Sequence, residues 1–159
     1  MTEERYDLAV LGGGSGGLAA AQRAARHGAR VVVFEPWFLG GTCVNVGCVP
    51  KKAMWLAAET AGQVAMARDL GFDVDLRGFD WAGYVARREA YIARARASYR
   101  KKLDELGIRL VPAAARLETG NRVISDAGNV VANHRLIATG ARPQRLQLPG
   151  FDLGGVSDD

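Results

Sequence analysis

Cysteine and histidine are scarce in this 159-residue chain, two of each. Two cysteines cannot build the multi-bridge framework that holds small secreted domains together. His27 and His134 stand far in sequence from Cys43 and Cys48, so a four-ligand zinc site lacks donors and no metal is expected. Also missing is any run near the roughly 18 apolar residues that cross a bilayer. The opening stretch MTEERYDLAVLGGG passes from a polar, acidic head straight into an apolar run, without a basic segment or cleavage site. The expectation is therefore a cytoplasmic chain with no membrane partner. Aromatic residues supply only 8% of the chain, but hydrophobic residues reach 48% and charged ones 24%, a globular balance sufficient for one core.

Acidic residues are outnumbered, 17 against 21 lysines and arginines, and the excess collects in one place: Arg87, Arg88, Arg94, Arg96, Arg100, Lys101 and Lys102. Nucleic acid is the obvious partner for such a run. Against it, Trp81, Tyr84, Val85, Tyr91, Ile92, Ala95, Tyr99, Leu103 and Leu106 recur at helical spacing, which puts an apolar stripe on the same segment and the arginines mostly on its other side. A solvated helix face is the better reading, and no nucleic-acid partner is expected.

Glycine is abundant, and it is organised. Tyr6 to Leu11 is a short apolar run, Gly12 to Gly17 reads GGGSGG, residues 18–25 read as helix, and a second apolar run from Arg30 to Phe34 ends on Glu35. Gly12, Gly14 and Gly17 stand in the G-x-G-x-x-G register. Gly12 permits a tight turn, Gly14 lets the backbone approach a pyrophosphate, Gly17 lets the helix pack on the strand, and the helix N–H groups face the anion. A carboxylate at Glu35 suits both ribose hydroxyls and repels a 2′-phosphate. The site should hold an adenosine diphosphate moiety, without distinguishing NAD from FAD.

Both cysteines lie in GGTCVNVGCVPKK, residues 40–52. In a regular helix, residues five apart are about 8 Å apart between Cα atoms, beyond the roughly 7 Å limit for a disulfide. A bridge therefore requires a distorted turn, for which Gly47 supplies freedom and Pro50 removes a helical donor. Such a strained loop should be comparatively reducible. If Gly40, Gly41 and a Thr42 cap open a helix, its positive end and Lys51 both favour thiolate. A structural disulfide and a zinc site remain the alternatives.

These stretches, with Ala138-Thr139-Gly140, resemble the FAD domain of the flavin-dependent pyridine nucleotide disulfide oxidoreductases. Lys51-Lys52 followed by Ala53-Met54-Trp55 is most similar to the glutathione reductases among them; trypanothione, thioredoxin and mercuric reductases share parts of the pattern. The resemblance covers nearly the whole chain. It implies NADPH-dependent reduction of glutathione disulfide through FAD, with Cys48 facing the flavin, Cys43 exchanging with substrate and Lys51 near the flavin N5. It further implies Gly12, Gly14, Ser15, Gly16 and Gly17 at the pyrophosphate and Glu35 at the adenine ribose. Gly41, Thr42 and Cys43 fall beside the ring, Ala115 at the adenine through its backbone, and Thr139 and Gly140 at further cofactor contacts. Ser15 and Tyr99 are implied at the substrate, although Tyr99 also reads as a core aromatic. Gln22 and Ala113 depart from the family pattern, putting one substrate carboxylate contact in doubt.

The expected fold is α/β: an incomplete Rossmann-like FAD-binding domain, three-layered ββα, with a parallel sheet and a small antiparallel meander over residues 113–132. Residues 1–141 form the amino-terminal segment of that domain with its redox helix. Residues 142–159 read as a linker toward an NADPH-binding domain. No second glycine fingerprint follows, so the expectation is the amino-terminal part of a homodimeric enzyme, inactive alone and binding FAD weakly or not at all.

Overall fold

The computed structural model describes residues 4–156; positions 1–3 and 157–159, the outermost parts of the two ranges just given, lie outside the described residues. Strand β1 (Glu4–Leu11) leads through the glycine turn into helix α1 (Ser15–Arg26) and strand β2 (Val31–Phe34). A short helix α2 (Gly41–Asn45), a long α3 (Cys48–Asp69) and a long α4 (Trp81–Glu105) follow. Strands β3 (Arg109–Val111), β4 (Ala115–Leu117), β5 (Arg122–Ser125) and β6 (Val130–Ile137) complete one six-stranded sheet, with a 3-10 turn at Phe151–Leu153.

The sheet order is β3-β2-β1-β6-β5-β4. The first four strands are parallel and the last two run antiparallel. This is the expected Rossmann-like layout. Its meander differs from the sequence reading in one respect: β6 is a single strand. Its first residues pair with β5 while its whole length pairs with β1 from Val130 to Ile137. The antiparallel and parallel parts are thus joined through one strand.

Central β2 reads VVVF and is buried throughout, as a strand covered on both faces must be. On the helical face, Val10, Val31 and Val33 pack with Leu18 and Ala21 of α1 and with Leu103 of α4. On the other face, Ala9, Leu11, Val32 and Phe34 pack with Val123 of β5 and with Val130 and Ala132 of β6. Alternation along β1 and β2 therefore divides the core into two clusters, one for each covering layer.

The two long helices bury little. Helix α3 buries no residue, and Met54, Trp55, Leu56 and Met66 are about half exposed. Of the proposed stripe on α4 only Ile92 and Leu103 are buried, while Trp81 and Tyr91 face outward. The basic residues near its end pair within the helix, Arg100 with Asp104 at 3.3 Å and Lys102 with Glu105 at 2.9 Å. No helix is long and apolar enough among the described residues to cross a membrane.

Strand β1 ends at the centre of the sheet, where the chain leaves through α1 toward β2 on one side while β6 lies on the other. That is the switch point where ligands of doubly wound sheets bind. Here Gly12 turns at φ 109° with its amide donating to Phe34 O at 2.8 Å. A Cβ on Gly17 would collide with the Gly12 carbonyl, so α1 reaches the turn only through glycine. Gly17→Ala should lower stability by about 2 kcal/mol through this overpacking, measured by urea denaturation; an unchanged midpoint would show that α1 does not rest on the turn.

A nucleotide cleft joined to a dithiol

Glu35 is held before any ligand arrives. One carboxylate oxygen accepts the Gly13 amide at 2.7 Å and the other accepts the Trp37 amide at 2.8 Å. A carboxylate has about four acceptor sites, so two remain for hydroxyl donors. Gly13 also uses its carbonyl, which accepts the Gly40 amide at 2.9 Å. The glycine turn is thereby tied to the end of β2 through its N–H and to the start of α2 through its C=O.

A cleft of about 800 Å³ opens along this edge. Gly12, Gly14, Glu35, Gly41, Thr42, Ala115, Thr139 and Gly140 all line it, so the structure brings eight of the sequence-nominated cofactor positions to one surface. Trp37 and Arg142 line it as well and were not nominated. Ser15 and Gly16 are exposed at the first turn of α1, beside the cleft wall, and Gly17 is buried as a packing contact. The amides of this first turn have no partner within the helix and face the sheet edge, which fits an anionic group. Size, carboxylate and free amides together fit the adenosine and pyrophosphate end of a dinucleotide.

Cys43, Cys48 and Lys51 do not line the cleft. They follow Thr42, which does. The sequence predicts a distorted turn near Gly47, and the structure has two helices with Val46 and Gly47 between them. Helix α2 starts after Gly40 at φ 100°, without a side-chain cap, so Thr42 does not cap it. A Cβ on Gly41 would stand 2.9 Å from the Gly14 Cα, a contact that only glycine permits. Cys43 lies mid-α2 and Cys48 opens α3. Pro50 stands in the first turn of α3, where no N–H is needed, and the first helical bond runs from the Lys51 amide to Gly47 O at 3.0 Å. Lys51 lies three residues from Cys48 and shares its helical face.

Both cysteines are free thiols, Cys43 half-buried and Cys48 exposed. The expectation that both are pushed toward thiolate fails at Cys43. A side-chain hydrogen bond with Cys48, then partial burial and repulsion between the two sulfurs, raise the Cys43 thiol above the usual range. The Cys48 backbone N–H pulls the other way and loses. Two sulfurs this close do not both ionise readily.

Tyr99 packs against the helix-side core cluster. It also lines, with Gln22, Ser98, Lys101, Lys102 and Glu105, a second depression of about 360 Å³. Ser15 lines neither of these two cavities.

One connection escaped the sequence reading entirely. Asn45 is buried at 6% exposure, the single buried polar side chain among the described residues. Its Nδ2 donates to Gly41 O at 2.8 Å and Leu39 O at 3.2 Å, and its Oδ1 accepts from Arg96 Nε at 2.6 Å. The signals were present: a lone amide between Val44 and Val46, and an arginine at 96 in register with Ile92, Tyr99 and Leu103 on the inward stripe.

The thiol pairing makes a direct prediction. The pH–rate midpoint for alkylation of Cys43 should lie above that of an ordinary cysteine and should fall in a Cys48→Ala chain, because the hydrogen bond and the repulsion both disappear. Residue-resolved mass spectrometry of iodoacetamide labelling reads this; a midpoint that stays or rises would contradict the pairing.

Known proteins can now be set beside this geometry. A family profile described as pyridine nucleotide-disulphide oxidoreductase matches residues 6–158. A glutathione reductase of Yarrowia lipolytica is 44% identical over 96% of this chain and 36% of its own length. One of Schizosaccharomyces pombe is 40% identical over 96% of the chain and 35% of its length. One of Burkholderia cepacia is 36% identical over 100% of the chain and 35% of its length. The chain thus spans about a third of the length of these curated relatives. With a match that runs from the first strand to the last described turn, the chain belongs to the pyridine nucleotide-disulphide oxidoreductase family.

Proposed function

We propose that this chain supplies the FAD-binding turn and the redox dithiol of an NADPH-dependent glutathione-disulfide reductase. The observation that carries this reading is the close backbone approach of Gly14 to Gly41, two residues of the cleft wall, the second of which begins the segment that continues to Cys43. Glutathione disulfide as substrate and a homodimeric whole enzyme rest on the similarity to the three glutathione reductases. Residues 142–159 are read as the link toward a pyridine-nucleotide domain.

FAD, when bound, supplies a two-electron carrier between NADPH and the cysteine pair. The residues of this chain do the holding and exchanging. Glu35 accepts the ribose hydroxyls, the α1 amides and Gly12–Gly14 receive the pyrophosphate, and Ala115 flanks the adenine. Thr42 carries the cofactor surface up to the cysteines. With both cysteines reduced, the Cys43 thiolate attacks one sulfur of glutathione disulfide and releases one glutathione. Cys48 then attacks the Cys43 mixed disulfide and releases the second, leaving the Cys43–Cys48 bridge. The Cys48 backbone N–H favours the anionic Cys43 sulfur, and Lys51, one turn further along α3, brings a cation to the same helical face.

Two readouts on the 159-residue chain test this. Incubation with glutathione disulfide should convert both thiols to an internal bridge with release of two glutathione molecules, and ADP should raise the thermal midpoint while adenosine 2′,5′-bisphosphate does not. Persistent glutathione adducts without a bridge would refute the dithiol role, and equal stabilisation by the 2′-phosphate compound would refute the role of Glu35.

A further inference from the structure

The dithiol is fixed from a direction that the glycine contacts do not explain. Helix α2 has five residues, too few to hold its own orientation, and Cys43 is its middle residue. On one side the Gly14–Gly41 contact restrains its start. Its other end is restrained by Asn45, whose amide is satisfied at both ends. Three carbonyls, of Phe38, Leu39 and Gly41, converge on Nδ2, and the guanidinium of Arg96 faces Oδ1. A guanidinium has only donors and a carbonyl only accepts, so this arrangement admits one orientation of the amide. Arg96 in turn sits over the Phe38 ring, with its Cζ 3.7 Å from the ring centre.

We propose that Arg96 and Asn45 are positioning residues for the redox dithiol: the Arg96 Nε–H to Asn45 Oδ1 bond holds the Asn45 amide on the Leu39 and Gly41 carbonyls, which fixes the segment carrying Cys43 relative to Cys48. This rests on the dithiol reading above and adds to it a control exerted from α4, the helix that also presents Tyr99. The bond is charge-assisted and partly buried, which places it among the stronger hydrogen bonds. Without it the amide is free to turn, Gly41 and Leu39 lose their donor, and Cys43 samples positions from which Cys48 is out of reach. The proximity of one thiol to the other is what favours ring closure over an open dithiol.

The relevant equilibrium is the chain dithiol plus glutathione disulfide going to the chain disulfide plus two glutathione. Its constant is read by quenched alkylation across a series of glutathione ratios. Arg96→Met fills the same length without a donor and should lower the constant at least about fivefold, while Arg96→Gln places Nε2 at the position of the arginine Nε and should stay within about twofold of the parent chain. Asn45→Asp keeps an acceptor for Arg96 but loses the donor to the carbonyls, and should show the same fall as Arg96→Met. Thermal midpoints recorded alongside separate this from general unfolding, since the effect must appear in chains that remain folded at the assay temperature. An unchanged constant in Arg96→Met, or an equal fall in Arg96→Gln, overturns the proposal and leaves the dithiol reading intact. Failure of the parent chain to form any internal disulfide overturns both.

Discussion

One glycine residue carries the arrangement. Gly13 gives its N–H to Glu35 and its C=O to Gly40, so the glycine turn is bonded to the strand on one side and to the dithiol segment on the other. No side chain at 13 takes part, and a Cβ there would press on Leu39 and on Glu35 itself. Buried backbone groups must find partners. Here their partners are the two elements that would receive a dinucleotide and the cysteines, which makes the registration of cleft and dithiol a by-product of ordinary backbone satisfaction. The Gly14–Gly41 contact then closes the remaining gap.

The interruption between α2 and α3 has chemical consequences of its own. By splitting the helix at Val46–Gly47, the chain moves the Cys48 amide from the interior of a hydrogen-bond ladder to a helix start, where it is free to bond the Cys43 sulfur. That bond favours a Cys43 thiolate. The neighbouring thiol disfavours it, and in the reduced state the neighbour is the larger influence. The Cys43 sulfur of the reduced pair is therefore held toward its protonated form until the neighbouring thiol is consumed. At the opposite end of the sheet, Glu4 gathers Tyr6, Arg109 and Arg30. The Tyr6 hydroxyl and then Arg109 hold its carboxyl below the usual range. This cluster is solvent-exposed and contributes little to stability; it ties strand beginnings together, far from the chemistry.

The sequence made the glycine fingerprint, Glu35 and the strand–turn–helix order readable because each depends on local backbone geometry within about thirty residues. The cysteine pair was readable for the same reason, down to the need for a break near Gly47. What escaped it depends on distant partners. That β6 serves both the parallel and antiparallel parts is decided by pairing with Glu4–Leu11, more than a hundred residues earlier. The Cys43 shift depends on how closely two sulfurs approach, which spacing alone does not determine. Arg96 was assigned with its neighbours to a solvated face, although its register with Ile92 and Leu103 turned it inward toward Asn45. Trp37 and Arg142 joined the cleft wall only because the parallel strands β2 and β6 end at the same edge of the sheet, on either side of β1.

The most direct test of the central claim is amide hydrogen exchange at Gly13 and Gly40 in the intact chain. If Gly13 joins cleft and dithiol segment into one unit, both amides are protected. In a Glu35→Ala chain, Gly40 should then lose protection together with Gly13, each at least about tenfold. Faster exchange at Gly13 with Gly40 unchanged would show that the two sites are independent.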